Sequence, residues 1–196
     1  FRLLDILESS GAKLREIGAT NHTSMDDYAG AIGPQTGLIL KVHRSNFFMK
    51  GFVAAPERRE LAVLARKKRV PFMEDLGSGV LLPTGDWAEG HHEPMPREVL
   101  KDGADIVCFS GDKLMGGPQS GIIAGRARHV QALKKHPFFR ALRCDKLVLS
   151  VLQSTAEHYL HDQGGELPLQ GMLTADLASI QRRTRKLAKA LKGVPA

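Results

Sequence analysis

Five short apolar runs, at residues 14–17, 38–42, 70–73, 106–109 and 121–124, alternate with stretches whose apolar residues recur every three or four positions. Runs of four or five residues suit buried strands, and the longer periodic stretches suit helices. Ser24 ahead of Met25, Asp26, Asp27 and Tyr28 predicts a capped helix start. Pro56 opens a helix over 57–69 in which Leu61, Leu64 and Ala65 form one apolar stripe. Residues 84–96, with Gly85, Gly90, Pro94 and Pro96, read as a surface loop leading to a short helix over 96–101. A longer helix over 146–160 carries Leu149, Leu152, Ala156 and Leu160. This alternation predicts an α/β fold, a mainly parallel sheet with flanking helices.

The first four runs each end in small or polar residues: Gly18 to Asn21, His43 to Asn46, Asp75 to Gly79, and Ser110 to Lys113. Ligands of open α/β sheets bind outside the carboxyl ends of the strands, so these loops are expected to converge. The polar stretch 161–166 interrupts the helical pattern, which places a domain boundary near 161–170. Residues 1–160 then form one domain, and 161–196 a linker with the start of another.

Composition narrows the classes. With 196 residues, 42% hydrophobic and 25% charged, the chain has globular composition at the size of one large domain or a piece of a larger one. Disorder is excluded, and no apolar run approaches the length of a membrane-spanning helix. Two cysteines, Cys108 and Cys144, make neither a disulfide framework nor a zinc-binding pair, so no metal site is expected and a cytoplasmic setting is. A net charge of +7 favours an anionic partner, nucleic acid or a phosphorylated small molecule. The chain opens on Phe1 without a signal-peptide pattern. It closes on a helical pattern, 176–191, whose apolar residues Leu177, Ile180, Leu187 and Leu191 want a partner surface. It reads as a piece of a longer protein. The segment also carries Arg182, Arg183, Arg185, Lys186, Lys189 and Lys192, a stripe that can follow phosphates but is better explained as a solvated basic face.

The chemistry centres on Asp75 and Lys113, each read as lying just past the end of an apolar strand. Lysine forms Schiff bases with aldehydes, and a carboxylate beside a pyridine nitrogen keeps that ring protonated and electron-withdrawing. This pairing is the equipment of pyridoxal 5′-phosphate (PLP) catalysis. Ser110 can donate to a cofactor phosphate, while Gly111, Gly116, Gly117 and Gly121 permit close backbone approach. Arg140 and Arg143, three apart, are expected on one face of a helical turn as a fork for a tetrahedral dianion. Asp112 suits a turn, and Cys108 a small core position.

The segment from Phe109 to Ile123, FSGDKLMGGPQSGII, closely resembles the PLP-lysine motif of the bacterial selenocysteine synthase family, the L-seryl-tRNA(Sec) selenium transferases. Further family-like segments follow in order: Ser10 to Leu14, Gly18 to Asn21, Leu40 to His43, Asp75 to Gly79, and His136 to Lys146. The resemblance covers residues 9–160 and thins afterwards. It implies a fold type I PLP enzyme, of which this chain holds an incomplete large domain and the start of a C-terminal α/β domain. Lys113 would hold the cofactor, Asp75 would face its ring nitrogen, and Asn46 would sit near its phenolic oxygen with His43 and Ser45 in the same wall. Arg140 and Arg143 would bind selenophosphate. The implied reaction converts L-seryl-tRNA(Sec) through an aminoacryloyl intermediate to L-selenocysteinyl-tRNA(Sec), in an enzyme that assembles as rings of dimers.

Two positions depart from the family pattern, His22 where Arg is usual and Arg44 where Thr is usual, which loosens the substrate assignment more than the cofactor assignment. The N-terminal tRNA-binding region and a Gly- and Asn-rich phosphate-holding segment are not in this sequence, so the chain alone is expected to be inactive. Two rivals stay open. One is a PLP lyase acting on a phosphorylated sugar acid or amino acid, with the arginines on the substrate phosphate. The other is a non-catalytic basic RNA-binding module, against which the presence of both Lys113 and Asp75 argues.

Overall fold

The computed structural model describes residues 3–85 and 92–193. Its contacts divide the chain into two compact units: Phe1–Gly77 with Pro96–Cys108 and Ile123–His136, and Ser78–Met95 with Phe109–Ile122 and Pro137–Ala196.

The first unit contains α1 (Leu3–Ser9), α2 (Met25–Ala31), β1 (Ile39–Val42), α3 (Arg58–Lys68), β2 (Phe72–Gly77) and α4 (Pro96–Lys101). The strands β3 (Ile106–Ser110) and β4 (Gly121–Gly125) each have one end in it, and α5 (Ala127–Lys135) follows β4. The strands form one sheet in the order β1-β2-β3-β4. β1 and β2 are parallel, Ile39 pairing with Phe72 and Val42 with Asp75. β4 runs antiparallel to β3: Gly111 N–H bonds Ser120 C=O and Arg126 N–H bonds Asp105 C=O, so one index falls as the other rises. The sheet is therefore mainly parallel with a reversed edge strand.

Local signals explain the helix starts. Ser24 Oγ accepts from Asp27 N–H at 3.2 Å, and Asp27 Oδ2 accepts from Ser24 N–H at 2.7 Å, a reciprocal cap on α2. Ahead of α3, the Glu60 carboxylate accepts from Glu57 N–H at 3.0 Å. Arg66, Lys67 and Lys68 occupy its last turn, where cations complement the helix dipole. Its buried face, Leu61, Ala62 and Ala65, belongs to a core with Phe72, Leu76, Val99 and Val107.

Residues 14–17, expected as a strand, have irregular backbone. Leu14 and Ile17 are three apart and cannot share a strand face, and Arg15 instead donates to Ala31 C=O at the end of α2. The loop Gly18 to Asn21 consequently follows no strand. It is pinned to residues 52–54 through Thr23 N–H to Ala54 C=O and Ala54 N–H to Asn21 C=O, both 2.9 Å.

On β2, buried and half-buried residues alternate, which puts Glu74 and Asp75 on opposite faces. Glu74 is 1% exposed, and its carboxylate takes a bidentate pair from Arg58 at 2.6 and 3.0 Å. Arg58 also reaches Asp102 at 2.9 Å, which Arg59 meets at 2.8 Å. Removing Arg58 leaves a buried carboxylate without its counter-charge. Arg58→Ala is therefore expected to cost about 3–5 kcal/mol of stability. Arg58→Met combined with Glu74→Leu should recover much of that loss, and urea unfolding of both variants checks it.

The second unit contains the C-terminal end of β3, the start of β4, α6 (Pro137–Ala141), α7 (Lys146–Leu160), a 3-10 turn (Gly164–Glu166), α8 (Pro168–Leu173) and α9 (Leu177–Ala190). Asp145 caps α7 by accepting from Val148 N–H at 2.9 Å, and Asp176 caps α9 by accepting from Ser179 N–H at 2.8 Å. Leu177, Ile180, Leu187 and Leu191 are exposed, the apolar stripe that the periodicity predicts. The segment read as a surface loop from residue 84 is not superficial throughout. Thr84, Pro94 and Met95 are buried, and the Glu93 carboxylate accepts from the Ser78 hydroxyl. These residues close over apolar neighbours because two prolines and a threonine leave few unsatisfied donors to bury. Gly90 lies outside the described residues.

Candidate active site

In the first unit the site is organised around Asp75. The sequence placed it past a strand end, but it lies inside β2, fourth of six residues. The strand runs on because Asp75 still contributes to the ladder: its carbonyl accepts from His43 N–H at 2.8 Å. One carboxylate oxygen, Oδ1, accepts from Gly77 N–H at 3.0 Å. The side chain is half-buried on the face that alternation sets opposite Glu74. His43 is half-buried directly after β1, while Ser45 and Asn46 follow on an exposed loop, Ser45 N–H turning back to His43 C=O at 3.1 Å. Val42 thus stands opposite Asp75 in the register, and His43 adjoins it through backbone.

Sequence reasoning missed the partner of this carboxylate. Cys108 is half-buried on β3, the strand next to β2, and its S–H donates to the Asp75 carboxylate. Burial, and then the charge and hydrogen bond of Asp75, push the thiol up to about 12. Stability that depends on the neutral thiol is intact below the ordinary thiol value of 9.0 and is lost as pH rises toward 12. A shift from 9.0 to about 12 leaves roughly a thousandfold fewer thiolates at neutral pH. Iodoacetamide at pH 8 is expected to label Cys108 at least about a hundredfold more slowly in the native protein than after unfolding, as mass spectrometry of its peptide would report. The period-two rule of a strand carried the available signal: residue 108 faces away from Val107, which is fully buried.

In the second unit Ser110 ends β3 and Lys113 sits in the turn that follows, its side chain exposed. The turn is narrow. Gly111 N–H bonds Ser120 C=O at 2.9 Å, Gly117 N–H bonds Gly111 C=O at 2.8 Å, and Gly116 N–H returns to Lys113 C=O at 2.9 Å. A side chain at Gly111 would strike the Ser120 hydroxyl and the Pro118 carbonyl, so this position admits only glycine without rearrangement. Gly121, read as another close approach, has no described atom near a would-be Cβ. Gly79, at φ +70°, lies against the Ser110 carbonyl, where a side chain would collide. The Ser78–Gly79 segment and the lysine turn are thereby held together, with Leu114 N–H bonding Ser78 C=O at 2.9 Å.

Arg140 and Arg143 do not share one helical turn. α6 ends at Ala141, and Arg143 lies in the link to α7. The cap explains this: Asp145 takes extended backbone, φ −73° and ψ 172°, so the helix stops first. Both arginines are exposed.

Each unit by itself offers groups whose chemistry suits PLP. One unit offers a half-buried carboxylate with a backbone N–H on one oxygen and a thiol against it; the other offers an exposed lysine and a serine on a glycine-tight turn that no Cβ could enter.

Comparison with known proteins places the chain in a family. A family model described as L-seryl-tRNA selenium transferase matches residues 1–196. The L-seryl-tRNA(Sec) selenium transferase of Hyphomonas neptunium is 49% identical over 190 residues, 96% of this chain and 41% of that protein. That of Aquifex aeolicus is 43% identical over 195 residues, 100% of this chain and 43% of that protein. The chain thus spans less than half the length of these relatives. Among solved structures, a D-glucosaminate-6-phosphate ammonia-lyase aligns with a TM-score of 0.63 at 21% identity, covering 81% of this chain and 39% of that one. An aromatic amino acid beta-eliminating lyase/threonine aldolase from Exiguobacterium aligns with 0.53 at 18%, covering 81% and 43%. These likenesses show the fold alone, an α/β architecture shared with both. A family match that runs from the first residue to the last, carried by relatives above 40% identity, settles the remaining question: the chain belongs to the L-seryl-tRNA selenium transferase family.

Proposed function

We propose that this chain is the cofactor-bearing part of a PLP-dependent L-seryl-tRNA(Sec) selenium transferase, which makes L-selenocysteinyl-tRNA(Sec) from seryl-tRNA(Sec) and selenophosphate. The observation that carries the reading is Lys113 on its glycine-tight turn after β3, within a chain that matches the family over its whole length. Bound at Lys113, PLP supplies an electron sink for negative charge at the seryl α-carbon. Lys113 Nζ is the general base that takes the α-proton. Asp75 holds a proton on the cofactor's ring nitrogen, its own orientation set by Gly77 N–H and the Cys108 thiol. Ser110 donates to the cofactor phosphate, and Asn46 serves the cofactor's phenolic oxygen with His43 and Ser45 in the same wall as Asn46. The seryl hydroxyl leaves as water, protonated by Lys113 Nζ with the proton taken from the α-carbon, and selenium bonds to the β-carbon as water cleaves its bond to phosphorus, Arg140 and Arg143 holding the phosphate that departs.

The same reading makes residues 1–160 a partial PLP-binding large domain and 161–196 a linker with the start of a C-terminal domain. It also makes the protein a cytoplasmic homo-oligomer. No helix among the described residues is long and apolar enough to cross a membrane.

The test is the full-length protein assayed with seryl-tRNA(Sec) and selenophosphate. Product that forms only with both supports the reading, and turnover of a phosphorylated sugar acid or amino acid with no selenium transfer to seryl-tRNA(Sec) favours a lyase. Arg140→Ala and Arg143→Ala should each raise the donor concentration needed by about tenfold, the worth of a charge-assisted contact. Cofactor absorbance and tRNA binding should not change. Unchanged donor dependence in both variants returns the pair to a solvated surface.

A further inference from the structure

The backbone immediately after Lys113 is held from outside its own turn. Leu114 C=O accepts from Gln170 Nε2 at 3.1 Å, and Met115 C=O accepts from Tyr159 Oη at 2.7 Å. Gln170, on α8, is 4% exposed, and Tyr159 lies in the last turn of α7. Thr155, one turn earlier on α7 and 5% exposed, sits 3.4 Å from the place a side chain would take at Gly117. Gly116 is approached as closely by Leu169 of α8. The tyrosine ring is itself fixed from behind by Gly164, where any Cβ would meet Cδ1 and Cε1 at 2.6 and 2.7 Å. Two adjacent carbonyls of the lysine turn are thus taken by two side chains that lie 44 and 56 residues further along the chain. A peptide in a tight turn moves by rotating its carbonyls, and both rotations here are blocked by a bonded donor.

We infer that Tyr159 and Gln170 are positioning residues that lock the backbone after Lys113 and so aim its amine. The inference rests on the reading of Lys113 as the cofactor lysine. It adds a role for α7, α8 and the link between them, which the sequence marked only as a domain boundary. Burial raises the Tyr159 hydroxyl above its ordinary range, and Gln170 beside it works the other way, so the phenol stays protonated as a donor at neutral pH.

The experiment uses the full-length protein with Tyr159→Phe, which deletes one hydroxyl, and Gln170→Leu, which deletes the amide donor. The first readout is amide hydrogen exchange over residues 113–117 in the cofactor-free protein, which does not depend on activity. Each variant should speed exchange there by about fivefold or more, while exchange in β1 and β2 and the melting temperature stay near wild type. The second is the pH at which the visible band of the Lys113-bound cofactor titrates, which should shift in Tyr159→Phe, with kcat falling several-fold and KM for the donor unchanged. Unchanged exchange over 113–117, or an equal acceleration along the whole chain, would overturn the inference. If Gln170→Leu fails to fold, Tyr159→Phe decides alone. Borohydride reduction of the wild-type holoenzyme with peptide mapping separates the two readings. A pyridoxyl group on another lysine sinks the cofactor assignment, while faster local exchange in the apo-protein would still report the brace.

Discussion

Replacing Lys113 by alanine in the full-length protein should abolish selenocysteinyl-tRNA formation, the largest effect expected of any single change. The side chain is exposed, so its loss opens no cavity and should leave folding intact. What disappears is chemical. A positioned general base is worth about 10²–10⁴ in rate, and the same amine is the covalent anchor of the cofactor, so the combined loss should exceed about 10⁴. Single-turnover assays measure it, and the visible band and the borohydride-fixed pyridoxyl label at residue 113 should vanish together. Asp112→Asn, one residue away and also exposed, is the control and should change turnover by less than about threefold. Retention of more than a tenth of the activity in Lys113→Ala would refute the assignment.

Asp75→Asn should rank second. Asparagine keeps the shape and can still accept from Gly77 N–H, so β2 and its register with β1 should persist and the melting temperature should move little. The negative charge is lost. If that charge holds the proton on the cofactor's ring nitrogen, turnover should fall on the order of hundreds-fold, comparable to removing a strong electrostatic stabiliser, while the cofactor stays attached to Lys113. A second readout comes from the same substitution. Part of what suppresses the Cys108 thiolate is the neighbouring carboxylate, so Cys108 should alkylate faster in Asp75→Asn than in wild type. Normal turnover with faster alkylation would mean that Asp75 faces Cys108 but serves no cofactor. Unchanged alkylation would deny the contact itself.

Much of the secondary structure is written locally. Ser24 with Asp27, Asp145 ahead of α7 and Asp176 ahead of α9 cap their helices across three residues, and Pro56 and Pro96 mark starts to within two. Such signals are legible because donor and acceptor lie within one turn of each other. The expected strand at residues 14–17 failed for the complementary reason. A strand needs a neighbour, and hydrophobicity in a run of four does not say whether one is present. Arg140 and Arg143 were misplaced because a spacing of three implies a shared face only while the helix lasts, and the cap of α7 ends it.

The sequence by itself determined the α/β alternation, the Ser24 cap and, through the Phe109–Ile123 motif, the family. Tertiary structure alone decided that Asp75 lies inside β2 with Cys108 against it, that Glu74 is buried in the grip of Arg58, and that Tyr159 and Gln170 close on the carbonyls after Lys113. None of these pairs has a local signature. Arg58 and Glu74 are 16 residues apart, Tyr159 and Met115 44, Gln170 and Leu114 56. Partners at such separations are chosen by which surfaces meet when the apolar faces are buried, and each buried carboxylate or carbonyl then takes whichever donor that packing delivers.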